Sequence, residues 1–231
     1  MLNIDDITIA TNALKEAADA AARDFAAEDI VGEEDFSGQL VGRFKSRIET
    51  LKTPHVCWRV AAAITEDDAS TVRFSARQTG SQGPGSEEAW SGADLLLILD
   101  IRLFDYEVRK GVLVQAKCLE QGKRLRPADA LRLKSQCHDM LTLSSASFVF
   151  LYAGTGLTVI SATAVEGTTR RDLHQLKQFP DSTEVFFSEF FKCWIGDPRL
   201  TAPDRRSLIM LRDRYGARSA LLIRATQRDM E

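Results

Sequence analysis

The 231 residues, 44% of them apolar and 27% charged, have the composition expected of an ordinary soluble globular protein. A chain of this length buries a core without disulfides or structural metals, and no apolar stretch approaches a membrane span. The net charge of −3 argues against indiscriminate binding to nucleic acid.

The N-terminus, Met1-Leu2-Asn3-Ile4-Asp5-Asp6, is acidic where a secretory leader would be basic and then apolar, so a cytoplasmic location is expected. Residues 9–28 are alanine-rich and favour helix. Phe36, Leu40, Val41, Phe44, Ile48 and Leu51 then recur with helical period and predict a second amphipathic helix. At about 100° per residue, Glu33 projects near the middle of that apolar face and Glu34 toward its edge. An acid aimed at a core needs a purpose, although one in a frayed first turn also suits the helix dipole.

Residues 56–64 alternate through Val56, Trp58, Val60, Ala62 and Ile64 and predict a strand. Residues 71–78 alternate again, and Thr65-Glu66-Asp67-Asp68 between them suggests a hairpin. Residues 79–92, rich in Gly, Ser and Pro, form a loop that lacks the GxxxxGK[ST] pattern of a phosphate-binding loop.

Asp94 opens the apolar run Leu95-Leu96-Leu97-Ile98-Leu99, which suits a strand covered on both faces. Residues 111–119 form the next strand, where Leu113, Gln115, Lys117 and Leu119 share one side. Burying both polar groups without partners would cost several kcal/mol, about 2–7 for one polar group alone. Gln115 and Lys117 therefore face a polar cleft or have specific partners. A hairpin turning near Asp105–Tyr106 sets Asp94 across from Gln115–Ala116, whereas a turn nearer Arg109-Lys110-Gly111 carries it beyond Lys117.

The stretch from Arg109 to Lys134 is basic, with Arg109, Lys110, Lys117, Lys123, Arg124, Arg126, Arg132 and Lys134 set against Glu120 and Asp129, and the tail adds Arg205, Arg206, Arg212, Arg214, Arg218, Arg224 and Arg228. Then come a helix from about 127 to 145 and strands at 148–152 and 157–164. The remainder reads as helical: a short piece near 168–178, residues 183–194, and 203 onward. Val185, Phe186, Phe187, Phe190, Phe191 and Trp194 either close the core or form a dimerisation face. Cys57, Cys118, Cys137 and Cys193 lack CxxC spacing and read as small core residues, and His55, His138 and His174 are equally scattered. The expected architecture is α/β: one mixed sheet flanked by helices, with a core over 1–165 and a helical C-terminal extension over 166–231 on the same domain.

Glu33 or Glu34 at a helix head, Ser91-Gly92-Ala93-Asp94 before an apolar strand, and Gln115-Ala116-Lys117 on the next strand resemble the PD-(D/E)XK restriction-endonuclease superfamily. The closer resemblance is to its QxK variants among small bacterial restriction and anti-phage nucleases. Gln136 in the following helix and the strand Phe148-Val149-Phe150-Leu151-Tyr152 continue the order, so the likeness covers about residues 30–155. It departs from the parent motif at Gln115, where Asp or Glu is usual.

The resemblance implies a restriction-endonuclease-like fold and a Mg²⁺ (or Mn²⁺) endonuclease acting on DNA in prokaryotic defence. Asp94, Gln115 and Glu33 (or Glu34) would hold the metal through hard oxygen ligands. Lys117 would position or deprotonate the attacking water and stabilise the oxyanion. Lys123, Arg124, Arg126 and Gln136 would hold the nucleic acid, and a second copy or a defence-system subunit would be the protein partner. The alternative is a catalytically degenerate subunit that binds nucleic acid or assembles with partners on the same fold.

Overall fold

A computed structural model describes residues 1–27, 33–51, 72–80, 91–118, 126–153, 156–168 and 181–227, with backbone alone at 33–35, 80 and 181. The expected strand at 56–64 and helix near 168–178 lie outside the described residues.

Helix α1 (Ile4–Ala26) starts at Asn3, whose side chain accepts the Asp6 N–H at 2.8 Å. Helix α2 (Glu33–Glu49) follows the predicted periodicity, burying Phe36, Leu40, Val41, Phe44 and Ile48. Strand β1 (Val72–Gly80) precedes the pair β2 (Leu95–Leu103) and β3 (Tyr106–Cys118). Then come α3 (Pro127–Leu143), β4 (Ser147–Ala153), β5 (Gly156–Ser161), α4 (Ala162–Gly167) and the two-residue β6 (Asp181–Ser182). Helices α5 (Thr183–Phe191) and α6 (Arg205–Arg214) lead into β7 (Ser219–Gln227). No described helix is long and apolar enough to cross a membrane.

The strands form one mixed sheet in the order β1-β7-β2-β3-β4-β5-β6. Helices α1, α2 and α5 pack on one face against Leu95, Leu97, Val112, Val114 and Ala116. Helices α3, α4 and α6 cover the other face, against Leu96, Ile98, Leu113, Val149 and Leu151. Alternation along β2 and β3 thus feeds two separate cores, which is why both strands read as continuous apolar runs. Phe186, Phe187, Phe190 and Phe191 of α5 are buried beside Phe44 and Phe150, so that helix closes the core with four of its aromatic rings.

The C-terminal third corrects the expected helical extension. Strand β7 runs parallel to β2 and antiparallel to β1, in the interior of the sheet. Ala220-Leu221-Leu222-Ile223 is covered on both faces, and so short an apolar run has no periodicity separating strand from buried helix. Gly216, at φ +61, ends the α6 turn and frees the chain to enter the sheet. A core drawn only to residue 165 would omit one of its central strands.

Candidate functional site

The β2–β3 hairpin turns between Leu103 and Tyr106, with Leu95 opposite Val114, so Asp94 stands across from Gln115. This is the earlier of the two expected turns. Asp94 is stitched to both neighbouring strands: its N–H donates to the Val114 carbonyl at 2.9 Å and its carbonyl accepts the Ser219 N–H at 3.0 Å. The carboxylate is buried, and its Oδ2 accepts the Gln115 amide Nε2 at 2.6 Å and the Ala116 N–H at 2.9 Å. Oδ1 faces the Arg218 guanidinium at 3.4 Å.

Gln115 is 3% exposed, and its Nε2 also donates to the Ala116 carbonyl at 2.9 Å. The opposite amide assignment would press an amide oxygen against a carboxylate, so the direction is fixed by charge. Its Oε1 is buried and has no hydrogen-bond partner. Leaving an acceptor so costs on the order of 1–3 kcal/mol, which makes this atom unusual in a folded core.

Lys117 is half-buried and, by strand alternation, lies on the same face as Gln115 and Leu113, under α3. On that helix the Arg126 guanidinium, with Lys117 and Arg132 contributing more weakly, holds the Asp129 carboxyl below its ordinary value. Arg126 is exposed and binds Asp129 at 2.8 Å. Gln136 reaches the region through its backbone: Gly92 has φ +70, and a Cβ there would stand 2.7 Å from the Gln136 Cα. Glycine is therefore required at position 92, and it lets the Ser91–Asp94 segment lie directly on α3. Lys123 and Arg124 lie outside the described residues.

Helix α2 begins at Glu33, but the Glu33 and Glu34 side chains are also outside the described residues. The apolar stripe of α2 is buried on the sheet face opposite to Gln115 and Lys117. Its first turn nevertheless reaches the same end of the sheet, because Phe36 stacks on Tyr152 at 3.5 Å and Tyr152 pairs with Cys118.

Three oxygens of the kind a hard cation takes lie around the Gln115 amide, two of them already accepting from its nitrogen. The Asp94 carboxylate and the Ala116 carbonyl both face one amide nitrogen, and the adjacent Gln115 Oε1 is a third oxygen with nothing to accept. Among the described residues no group of three or more His, Cys, Asp or Glu side chains is placed to hold a metal ion. The set available there carries one negative charge, and Arg218 offsets part of it.

Two groups at this site escaped the sequence reading. The Ala116 peptide acts through backbone and leaves no sequence signal. Arg218 was visible only as one cation of a basic tail. Had Ala220–Ile223 been read as a strand beside β2, Arg218 would have been seen to flank Asp94.

No protein-family model matches the chain, and neither a curated protein nor a solved structure matches it.

Proposed function

We propose that the chain is a metal-dependent endonuclease that hydrolyses phosphodiester bonds of DNA, in prokaryotic anti-phage defence. The observation that carries this reading is the Asp94–Gln115 contact at 2.6 Å, with the Gln115 Oε1 left buried and unpartnered beside it. Asp94, Gln115 and Glu33 or Glu34 would hold Mg²⁺. The ion would supply an activated water and neutralise charge on the phosphate. Lys117, on the same face, would orient the water and stabilise the oxyanion. Gln136 and Arg126, with Lys123 and Arg124, would hold the backbone without reading sequence.

One observation favours a second reading. The Arg218 guanidinium stands 3.4 Å from Asp94 Oδ1, where a metal would prefer an uncompensated carboxylate. A binding or assembly subunit that has lost catalysis would tolerate that arrangement.

Plasmid nicking separates the two. The endonuclease nicks supercoiled DNA in Mg²⁺ or Mn²⁺ and stops in EDTA. Lys117→Ala lowers nicking on the order of 100-fold or more while DNA binding persists. No nicking with either metal, together with unchanged DNA binding by Asp94→Ala, would assign the chain to the second reading.

A further inference from the structure

At the other end of the sheet, about 30 Å from Asp94 by strand length, the hairpin tip borders a cavity of about 1300 Å³. Its wall is basic although the chain is acidic overall: six lysine or arginine side chains line it against three acidic ones.

The register explains how the charge is concentrated. Arg73, Ser75 and Arg77 lie on the side of β1 that points away from its buried Val72, Phe74 and Ala76. Ser75 pairs with Arg224 on β7, Arg224 with Asp100 on β2, and Asp100 with Arg109 on β3. One residue pair further along the same face, Arg73 pairs with Thr226, and Thr226 with Arg102. Arginines from four adjacent strands thus share one face of the sheet.

Asp100 lies beneath them, fully buried, and accepts from Arg102 at 2.8 and 3.0 Å, Arg224 at 3.0 Å and Arg109 at 3.2 Å. Arg224 also donates to the Pro203 carbonyl, but three guanidinium forks carry more N–H groups than these oxygens accept, so donors remain for an outside acceptor. Glu107, a cavity acid, is itself paired with Arg102 and Arg109.

The tip adds an aromatic ring. Phe104 is 87% exposed and lines the same cavity. Its backbone N–H donates to Gln227 Oε1, at the end of β7, at 2.9 Å. This bond ties the tip to the end of β7, and the exposed ring lies at the mouth of the arginine-lined cavity.

We propose that this cleft binds single-stranded nucleic acid, with Phe104 stacking on an unpaired base and Arg73, Arg77, Arg102 and Arg224 meeting the phosphates. An exposed ring beside a basic groove suits bases that are free to leave their neighbours, and guanidinium donors suit phosphate oxygens. Paired bases would present no face to the ring. Nothing in this cleft depends on the chemistry assigned to Asp94.

The test uses the full chain in EDTA, so that cleavage does not intrude. The probes are labelled oligothymidine of about 20 nucleotides and a duplex of the same length. Oligothymidine binds, and Phe104→Ala weakens it about tenfold. The Arg73→Ala/Arg77→Ala double variant lowers the dependence of log K on log salt by about 1.4, at about 0.7 per phosphate contact. Nicking by the parent chain in Mg²⁺ is read in a separate assay, so failure of the nuclease reading appears there as absent nicking while oligothymidine binding in EDTA stays intact. No oligothymidine binding, or binding indifferent to both Phe104→Ala and the double variant, would overturn the proposal. So would a preference for duplex that Phe104→Ala does not alter.

Discussion

Asp94 and Asp100 lie on the same face of the sheet, at opposite ends of the apolar stretch that β2 buries, and their surroundings differ in kind. Asp100 is enclosed by the guanidinium groups of Arg102, Arg109 and Arg224. Burial pushes its carboxyl up, but Arg102 and Arg224 outweigh that and hold it below the ordinary value. Asp94 instead receives its two short hydrogen bonds from neutral donors, the Gln115 amide and the Ala116 N–H, with one arginine at 3.4 Å. The first carboxylate is saturated with positive charge and has no need of an added ion. The second meets an amide and a peptide N–H, and a buried oxygen without a hydrogen-bond partner, Gln115 Oε1, lies beside it. A buried acid therefore becomes a candidate site through the type of partner it has, not through burial alone.

The largest expected effect separates the two acids directly. Asp100→Asn leaves the three arginines without their counter-charge and costs about 3 kcal/mol in urea unfolding. Asp94→Asn, which preserves most of the neutral contacts, costs about 1 kcal/mol and abolishes nicking. Equal stability losses in the two variants would remove the distinction.

Next in size is Gly92→Ala. The positive φ and the contact with Gln136 together cost about 2 kcal/mol. The displaced Ser91–Asp94 segment also lowers nicking in protein that remains folded, while oligothymidine binding at the far end is unchanged. Nicking unaltered in Gly92→Ala would separate the α3 contact from the site.

The smallest effect is in acid. Arg199, with help from Ser144, holds Asp197 at about 2, against an ordinary value of 3.8. The unfolded chain takes up this proton first as pH falls, so the stability from Asp197 is complete above the unfolded value. It is lost as pH drops from 3.8 through about 2. Asp100, also lowered, adds loss of the same sign, so Asp197→Asn and Asp100→Asn each flatten the acid limb of a pH–stability curve. An unchanged acid limb in both variants would show that neither carboxylate matters to acid unfolding.

Much of the architecture could be read from residue order, for physical reasons that differ between elements. The periodicity of Phe36, Leu40, Val41, Phe44 and Ile48 specified α2, since a helix must put every third or fourth side chain on one face. The unbroken run from Leu95 to Leu99 specified a strand covered on both sides, and alternation put Gln115 and Lys117 together. Asp94 opposite Gln115 followed once the hairpin turn was placed.

What residue order alone determined was thus the local periodicity of these elements and the grouping of Asp94, Gln115 and Lys117 on neighbouring strands. Only the tertiary structure decided that β7 enters beside β2, that Arg218 therefore meets Asp94, and that α2 packs on the opposite face from Lys117. It also brought Arg73 and Arg224, far apart in the chain, into one basic cleft. Periodicity is a property of neighbours along the chain, whereas strand order depends on which distant segments bury one another's apolar faces.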